Sequence, residues 1–416
     1  MAKMDRQRWQ ANVRSMEIVA KPREEITDDD IAFLRENYTS MGGLLPKGFN
    51  GGAFFTPTHV ARFMTEAVAG LCGGFAPALR VLEPSVGSGV FLEHLPPDAE
   101  VTALELDETS AKVTSLIYPR ANVVIGNALE HGRRDYYDLV IGNPPYGETV
   151  ELADGSDWIT LSKSKGKWRG KSENAFIELA IKAAKPGGYI AYVLPTGIGF
   201  SQASAKIRKL MHETCWHVAT IMLPGETFVH VGTTIPTQIL ILRKAPPGTP
   251  LVEPATKRWG SNFRRSDFGD ITHYNARFLL GQTPAYFAKV TDIGWDEKGR
   301  ETDARQLDDL LDDFTDGGLM RENLYPHVPS WHGVEKSNEA FFFSHGNDTC
   351  DGFRDASRTY TGGPYRWNEL TLGTGEEIEW DGREWSTWVD GMTALQDEIV
   401  RQYYAKGDGA LSESAE

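Results

Sequence analysis

The stretch "DLVIGNPPYG", Asp138 to Gly147, decides the fold prediction. Its short, continuous apolar run is typical of a strand that is covered on both faces, as in a parallel sheet. The run ends in Gly142 and Asn143, so an amide side chain stands where a buried strand stops. Pro144 biases Asn143 toward an extended backbone, and Pro145 has no N–H to donate. The stretch therefore predicts a strand end with two rigid acceptors, the Asn143 side-chain oxygen and the Pro144 carbonyl.

Runs of the same kind lie on both sides of this stretch, and helix-like stretches such as "ENAFIELAIKAAKPGG" lie between several of them. In chain order the other runs are "LRVLEP", "VTALEL", "NVVIGN", "GYIAYVLP", "VATIML" and "TQILIL". Alternating strands and helices imply a mostly parallel sheet with helices on both faces. The predicted fold class is therefore α/β.

The expected domain boundaries follow from this pattern. Residues 1–49 form a helical N-terminal segment, and residues 50–246 form the sheet domain, which "KAPPGTPLVEP" follows as a linker. A smaller α+β region occupies residues 247–405, and residues 406–416 are expected to be a disordered tail.

Local signals predict elements outside the sheet. Thr27 can cap a helix whose first turn is acidic, and Gly42-Gly43 can stop it. Asp381-Gly382 lies between alternating residues, which predicts a two-residue hairpin turn. "MTALQDEIVRQYY", Met392 to Tyr404, has the spacing of a helix.

Charge is unevenly distributed along the 416 residues. The net charge of −15 argues against nucleic acid when taken alone, because phosphate binding requires a positive surface. However, "KSKGKWRGK", Lys163 to Lys171, holds five basic residues and no acid. Two interpretations stay open: a basic working face on an acidic body, or a solvated loop.

Other classes of protein are not indicated. No apolar run approaches the roughly 18 residues of a membrane span, and the first residues lack the apolar core of a secretory signal. The three cysteines are far apart and odd in number, so neither a disulfide framework nor a metal site is expected. We therefore expect a cytoplasmic protein that does not contact the membrane.

Three further strand ends carry groups suited to a ligand, and ligands bind outside the carboxyl ends of parallel strands. "VLEPSVGSG" places Glu83 before a glycine turn, which lets a ligand approach the backbone closely. Glu105 can accept both hydroxyls of a ribose, and Asn127 can pair with a purine edge or cap a turn. The dinucleotide fingerprint and the phosphate loop are both absent. A nucleoside cofactor without a phosphate cradle suggests S-adenosylmethionine.

The two acceptors at Asn143 and Pro144 suit the two hydrogens of an exocyclic NH2 group. Such hydrogen bonds draw the nitrogen lone pair out of conjugation and direct it at an electrophile. Tyr146 offers a ring on which a flat base can stack. The alternative is a purely structural turn.

The ordered motifs resemble a known family, the gamma class of DNA methyltransferases that methylate N6 of adenine. "FFTP", "LEPSVGSG", "ALELD" and "NPPY" are similar to its cofactor and catalytic motifs, in the same order. "LPGETFVHVGTTIPTQILILRK" and "YFAKVTDIGWDEKGRE" are similar to segments of type I restriction modification subunits. The likeness covers residues 27 to 300. It departs from the family at Asn127, where an Asp is usual, which predicts weaker cofactor binding.

The resemblance implies a Rossmann-like S-adenosylmethionine-dependent methyltransferase fold that acts on an adenine flipped out of double-stranded DNA. It assigns catalysis to Asn143, Pro144, Pro145, Tyr146 and Phe228. It assigns cofactor binding to Phe55, Thr56, Pro57, Glu83, Ser85, Gly87, Gly89, Glu105, Asn127 and Asn143. Expected partners are DNA and a specificity or restriction subunit, in a bacterial or phage-infected cell. Residues 247–405 are the candidate region for DNA recognition or partner binding.

Two other functions stay open. Protein-glutamine and RNA methyltransferases also use Asn-Pro-Pro-Tyr, although "FFTP" before the glycine loop and "GTTIPTQILIL" favour DNA. A DNA-binding modification subunit without catalytic activity is the third hypothesis. The intact Asn143 to Tyr146 motif argues against that hypothesis.

Overall fold

The computed structural model describes residues 3–39, 56–199, 201–231, 234–249, 285–315 and 388–406, and eight two-residue strands between residues 324 and 385. The helices are α1 Lys3–Ala20, α2 Asp28–Leu34, α3 Thr58–Leu71, α4 Glu108–Ile117, α5 Ser172–Ala183, α6 Ala205–Thr214, α7 Gln306–Thr315 and α8 Trp388–Ala405. None of the helices in these ranges is both long and apolar enough to cross a membrane.

A mostly parallel sheet forms the centre of the structure. In chain order the strands are β1 Arg80–Glu83, β2 Glu100–Glu105, β3 Asn122–Ile125, β4 Tyr137–Gly142, β5 Thr149–Leu152, β6 Ser162–Ser164, β7 Lys167–Lys171, β8 Ala184–Pro195, β9 Cys215–Leu223, β10 Thr237–Lys244 and β11 Ala285–Lys289. β5, β6 and β7 form a separate small sheet, and the other eight belong to the central sheet. The order across the sheet is β3-β2-β1-β4-β8-β10-β9-β11, and β10 alone of these runs antiparallel to its neighbours. All seven apolar runs of the sequence form strands of this sheet, so the α/β prediction is confirmed.

Both faces of the sheet are covered by helices. Ile239 and Ile241 of β10 pack in a cluster with residues of α3 and α7, while Leu240 and Leu242 pack in a second cluster with α5 and α6. Because successive residues of a strand point to opposite faces, a doubly covered strand must be apolar at every position. This packing explains why the central strands read as continuous apolar runs rather than as alternating ones. The edge strand β3 is the exception, because it is apolar in sequence but largely exposed.

The N-terminal segment packs against the sheet domain through α4. Thr27 caps α2 as predicted: its hydroxyl accepts the Asp30 N–H at 3.2 Å, and the Asp30 carboxylate accepts the Thr27 N–H at 3.2 Å. Ile18 and Leu34 pack with Val113 in a small apolar cluster. The predicted stop at Gly42-Gly43 lies outside the described residues.

Several elements that follow residue 246 pack onto the same sheet. β11 pairs in parallel with β9, and α7 packs against α3. α8 is held by Arg243 of β10, which donates to Asp397 at 2.5 Å and to Gln396 at 3.3 Å. The expected boundary at residue 246 stays a prediction, but the sheet itself continues beyond it.

The predicted hairpin turn at Asp381-Gly382 lies outside the described residues. Of the strands on either side of it, Glu377–Ile378 pairs with Leu370–Thr371, and Glu384–Trp385 pairs with Tyr365–Arg366.

Candidate active site

The parallel strands bring the predicted site residues to one edge of the sheet. Glu83 pairs with Ala103 and Glu105 with Ile125, so the ends of β1, β2 and β3 lie side by side. A Cβ added at Gly142 would lie 3.6 Å from Cγ of Glu83, which places the end of β4 beside the end of β1. The structure therefore assembles the four strand ends that the sequence singled out.

Glu105 holds the glycine turn in place. Its Oε2 accepts the N–H of Gly87 at 2.7 Å, and its Oε1 accepts the N–H of Asp107 at 2.9 Å. Gly87 adopts a φ of +51°, in the left-handed region that favours glycine, and its carbonyl accepts the Thr114 hydroxyl at 2.6 Å. Each carboxylate oxygen has a second lone pair, so the same side chain can still accept a ligand hydroxyl.

Gly89 is required by packing as well as by backbone conformation. Its φ is +77°, and a Cβ at this position would lie 2.6 Å from the ring of Tyr118. Close approach of the Tyr118 ring at the end of α4 is therefore one reason for a glycine here, and the cofactor contact of Gly89 stays a prediction.

Glu83 is a buried carboxyl group with capacity for a ligand. Only 1% of the residue is exposed, and its Oε2 has no hydrogen-bond partner among the described residues. Burial raises the pKa of Glu83 well above its usual range, and the nearby Glu105 charge raises this pKa further. Burial also raises the pKa of Glu105, although the backbone N–H groups that it accepts oppose that effect. Two carboxyl groups in one buried site favour a ligand that brings positive charge or hydrogen-bond donors.

The Asn143 to Tyr146 motif is largely buried and is tied to the glycine turn. The backbone carbonyl of Asn143 accepts the Ser85 hydroxyl at 3.3 Å, and the Asn143 side-chain oxygen is itself buried. Pro144 is buried, and Tyr146 is 4% exposed. Burial raises the pKa of Tyr146, so its phenol is neutral at physiological pH. The glycine turn and the Asn143 to Tyr146 motif thus form one connected unit.

Asn127 serves as an N-cap. Its side-chain oxygen accepts the Leu129 N–H at 3.1 Å and begins the short helix Ala128–Glu130. This is the turn-capping role that the sequence left open beside the purine-pairing one. The cofactor contact of Asn127 stays a prediction.

The "FFTP" motif is described only in part. Phe55 lies outside the described residues, while Thr56 is 5% exposed and Pro57 stands at the N-cap of α3. Two residues further on, the ring of His59 contacts that of Trp295 edge to face, with 5.0 Å between ring centroids. The start of α3 is thereby linked to the segment that follows β11.

The same tryptophan holds the loop that carries Phe228. The indole N–H of Trp295 donates to the Glu226 carbonyl at 2.8 Å, within the helical turn Gly225–Val231. Phe228 is 1% exposed and packs in the apolar cluster on the α3 face. Sequence reasoning missed this hydrogen bond, because no local pattern shows a contact between residues so distant in sequence.

Comparisons with known proteins agree with this geometry. The model of the N-6 DNA Methylase family matches residues 45–253, half of the chain. Defense against restriction protein B of Escherichia phage P1 is 25% identical over 246 residues, which cover 58% of this chain and 10% of that protein. Modification methylase CviBIII of Paramecium bursaria Chlorella virus NC1A is 30% identical over 172 residues, which cover 38% of this chain and 42% of that protein. The chain thus spans less than half the length of these relatives.

A solved structure identifies the fold. The methyltransferase subunit of a type I restriction-modification system from Streptococcus thermophilus has a TM-score of 0.52 and 19% identity, covering 78% of this chain and 65% of that chain. The Rossmann-like methyltransferase fold predicted from the motifs is confirmed. The chain belongs to the N-6 DNA Methylase family.

Proposed function

We propose that this chain is an S-adenosylmethionine-dependent methyltransferase that modifies N6 of adenine in double-stranded DNA. The observation that carries the proposal is the buried Asn143 to Tyr146 motif at the end of β4, bonded through Ser85 to the glycine turn. Membership of the N-6 DNA Methylase family supports the choice of DNA and of an amino group as acceptor. Incubation with labelled cofactor and DNA, RNA or protein tests it, and label in RNA or protein alone would refute it.

The residues at the strand ends fit the proposed cofactor. Glu83 offers a buried oxygen without a partner among the described residues, which suits a cationic ammonium group. Glu105 offers lone pairs to ribose hydroxyls, and Gly87 keeps the backbone close to the ligand. When bound, S-adenosylmethionine supplies a methyl group made electrophilic by its sulfonium sulfur.

Asn143 and Pro144 would hold the target nitrogen. The Asn143 side-chain oxygen and the Pro144 carbonyl would each accept a hydrogen bond from one of the two N6 hydrogens. These hydrogen bonds would direct the nitrogen lone pair at the methyl group. Much of the rate enhancement then comes from orientation of the reacting atoms. The enzyme itself forms no covalent intermediate.

A base inside a duplex cannot reach this buried motif. The adenine must therefore leave the stack and enter a pocket, at a cost of a few kcal/mol. Tyr146 and Phe228 would hold the flipped ring between them. Because both side chains are almost fully buried, base entry requires the Phe228 loop to move.

The Phe228 role predicts a fluorescence difference. Phe228→Leu keeps an apolar side chain in the α3-face cluster but removes the aromatic platform, and a base–aromatic stack contributes about 1–3 kcal/mol. With 2-aminopurine at the target adenine, wild type should give a fluorescence change on binding, and the variant a clearly different one. Identical signals from the two proteins would show that Phe228 is only part of the core.

The basic run from Lys163 to Lys171 contributes most of β6 and all of β7 to a small antiparallel sheet, here called the basic sheet, with the strand order β5-β7-β6. β5 begins at Thr149, three residues after Tyr146, and β7 leads directly into α5. Lys167 and Arg169 form ion pairs with Glu151 at 2.8 and 2.5 Å, and both remain substantially exposed. We propose that this sheet contacts DNA phosphates near the site, since such exposed pairs are weak and can exchange partners.

Replacing Lys165, Lys167 and Arg169 with alanine should weaken binding to all DNA sequences alike. Phosphate contacts carry no base identity, and each lost contact should flatten the slope of log K against log salt by about 0.9. Arg401→Ala is the control. Arg401 belongs to α8, which packs beside Gly187 near the amino end of β8, whereas the site lies at the carboxyl ends of the parallel strands. A salt slope equal to that of wild type would show that the run is only a solvated loop.

We further propose a specificity or restriction subunit as partner, in the cytoplasm of a bacterial or phage-infected cell. The support is the likeness in fold to a subunit of a type I system. Site-specific methylation by the purified chain alone would contradict the need for such a partner.

A further inference from the structure

The loop that carries the catalytic motif is closed on its far side by the start of α5. Glu173 Oε2 accepts the Gly147 N–H at 3.1 Å, directly after Tyr146. The Ser172 hydroxyl accepts the Glu148 N–H at 3.2 Å, and the Ser172 N–H donates to the Glu148 carbonyl at 3.0 Å. On the near side, Ser85 holds the Asn143 carbonyl. Residues 143–148 are thus fixed at both ends.

Glu173 is an unusual group for this location. It is only 6% exposed, and the Ser172 hydroxyl donates to the same Oε2 at 3.2 Å. Its Oε1 lies 3.6 Å from Nζ of Lys171, the last residue of the basic sheet. A buried carboxylate is costly unless hydrogen bonds satisfy it, and bonds to a charged acceptor are stronger than neutral ones. Glu173 therefore fixes the backbone of the catalytic loop at Gly147 by accepting its N–H.

We propose that Glu173 is a positioning residue for methyl transfer. It holds the Gly147 amide and thereby sets where Asn143 and Pro144 place their acceptors. This role rests on the proposed function. It also links the loop to the basic sheet, because Glu173 contacts both Gly147 of the loop and Lys171 of β7.

The same helix offers a matched control. Glu178 of α5 is 1% exposed and also accepts backbone N–H groups, from Ile159 at 3.0 Å and Thr160 at 2.9 Å. These residues belong to the connection between β5 and β6, not to the catalytic loop. Loss of either carboxylate removes a buried hydrogen-bond acceptor that α5 offers to another segment, but of the two only Glu173 contacts the loop of residues 143–148.

The test compares wild type with Glu173→Ala, Glu173→Gln and Glu178→Ala. Single-turnover methylation of DNA should fall about 10- to 100-fold in Glu173→Ala, since a displacement near 1 Å can cost that much. Cofactor affinity should stay within about twofold, because no cofactor contact changes. Glu173→Gln keeps an acceptor for Gly147 and should recover most of the rate. Glu178→Ala should methylate at the wild-type rate per folded molecule.

A second readout needs no activity. Hydrogen exchange at the amides of Gly147 and Glu148 should speed up in Glu173→Ala and stay unchanged in Glu178→Ala. If wild type methylates no DNA, the proposed function fails. The hydrogen exchange of Gly147 and Glu148 then tests by itself whether Glu173 fixes the loop. If Glu173→Ala does not fold, Ser172→Ala should show the same changes to a smaller degree. Unchanged rate and exchange in the Glu173 variants, or equal losses in Glu178→Ala, would overturn the proposal.

Discussion

Asn143→Ala is expected to lower the rate of methyl transfer by about a hundredfold or more while cofactor affinity stays nearly unchanged. The Asn143 side chain would hold the target amino group, and its backbone carbonyl, which Ser85 holds, is retained in the variant. The site therefore keeps its shape but loses one hydrogen bond that strengthens in the transition state. Single-turnover kinetics with saturating cofactor measure the rate, and calorimetric titration measures the affinity.

Asn122→Ala is the matched control for that experiment. Asn122 is exposed at the amino end of β3, whereas the site lies at the carboxyl ends of the strands. Its replacement should change neither the rate of methyl transfer nor the cofactor affinity. Turnover of Asn143→Ala within a few-fold of wild type would show that the side chain does not hold the acceptor nitrogen.

The second large effect is expected at Glu105. Glu105→Ala removes the acceptor of the Gly87 and Asp107 N–H groups and the proposed acceptor of the ribose hydroxyls. A hydrogen bond to a charged group contributes about 1.5–3 kcal/mol, so two of them amount to at least about 3 kcal/mol. Cofactor affinity should therefore fall by a factor on the order of 100. Calorimetric titration with S-adenosylhomocysteine measures this without turnover.

Glu108→Ala supplies the comparison for Glu105. Glu108 is an exposed acid in the first turn of α4, three residues further along the chain, and its loss should leave the affinity within about twofold. Equal affinities for Glu105→Ala and wild type would show that this acid does not face the cofactor.

The seven sheet strands were predictable for a physical reason. Helices cover both faces of the central strands, so each of these is a continuous apolar run that stands out from its surroundings. The edge strand β3 is also an apolar run, although it is largely exposed. β11 lacks such a run, and its pairing with β9 joins segments about 65 residues apart, for which the sequence carries no local signal. A helical segment was predicted over residues 1–49, but the bounds of the long helix α1 were not, because its sequence is polar and weakly amphipathic.

The site was predictable where function depends on residue type at a strand end. Glu83, Glu105 and Asn143 fall on one edge because parallel strands share a direction. The contacts between them were not predictable. The bond from Gly87 to Glu105 and the bond from Gly147 to Glu173 depend on tertiary packing across 18 and 26 positions. Phe228 was identified by resemblance, but its burial could only be seen in the structure.

One measurement tests the central claim most directly: base-resolved sequencing of DNA from cells that express the chain, compared with cells that express Asn143→Ala. The account predicts N6-methyladenine at a defined sequence motif in the first sample and its loss in the second, at equal protein levels. If the first sample lacked the mark even with its partner subunit present, or if the variant left the same mark, the assignment of adenine-N6 transfer to this motif would be contradicted.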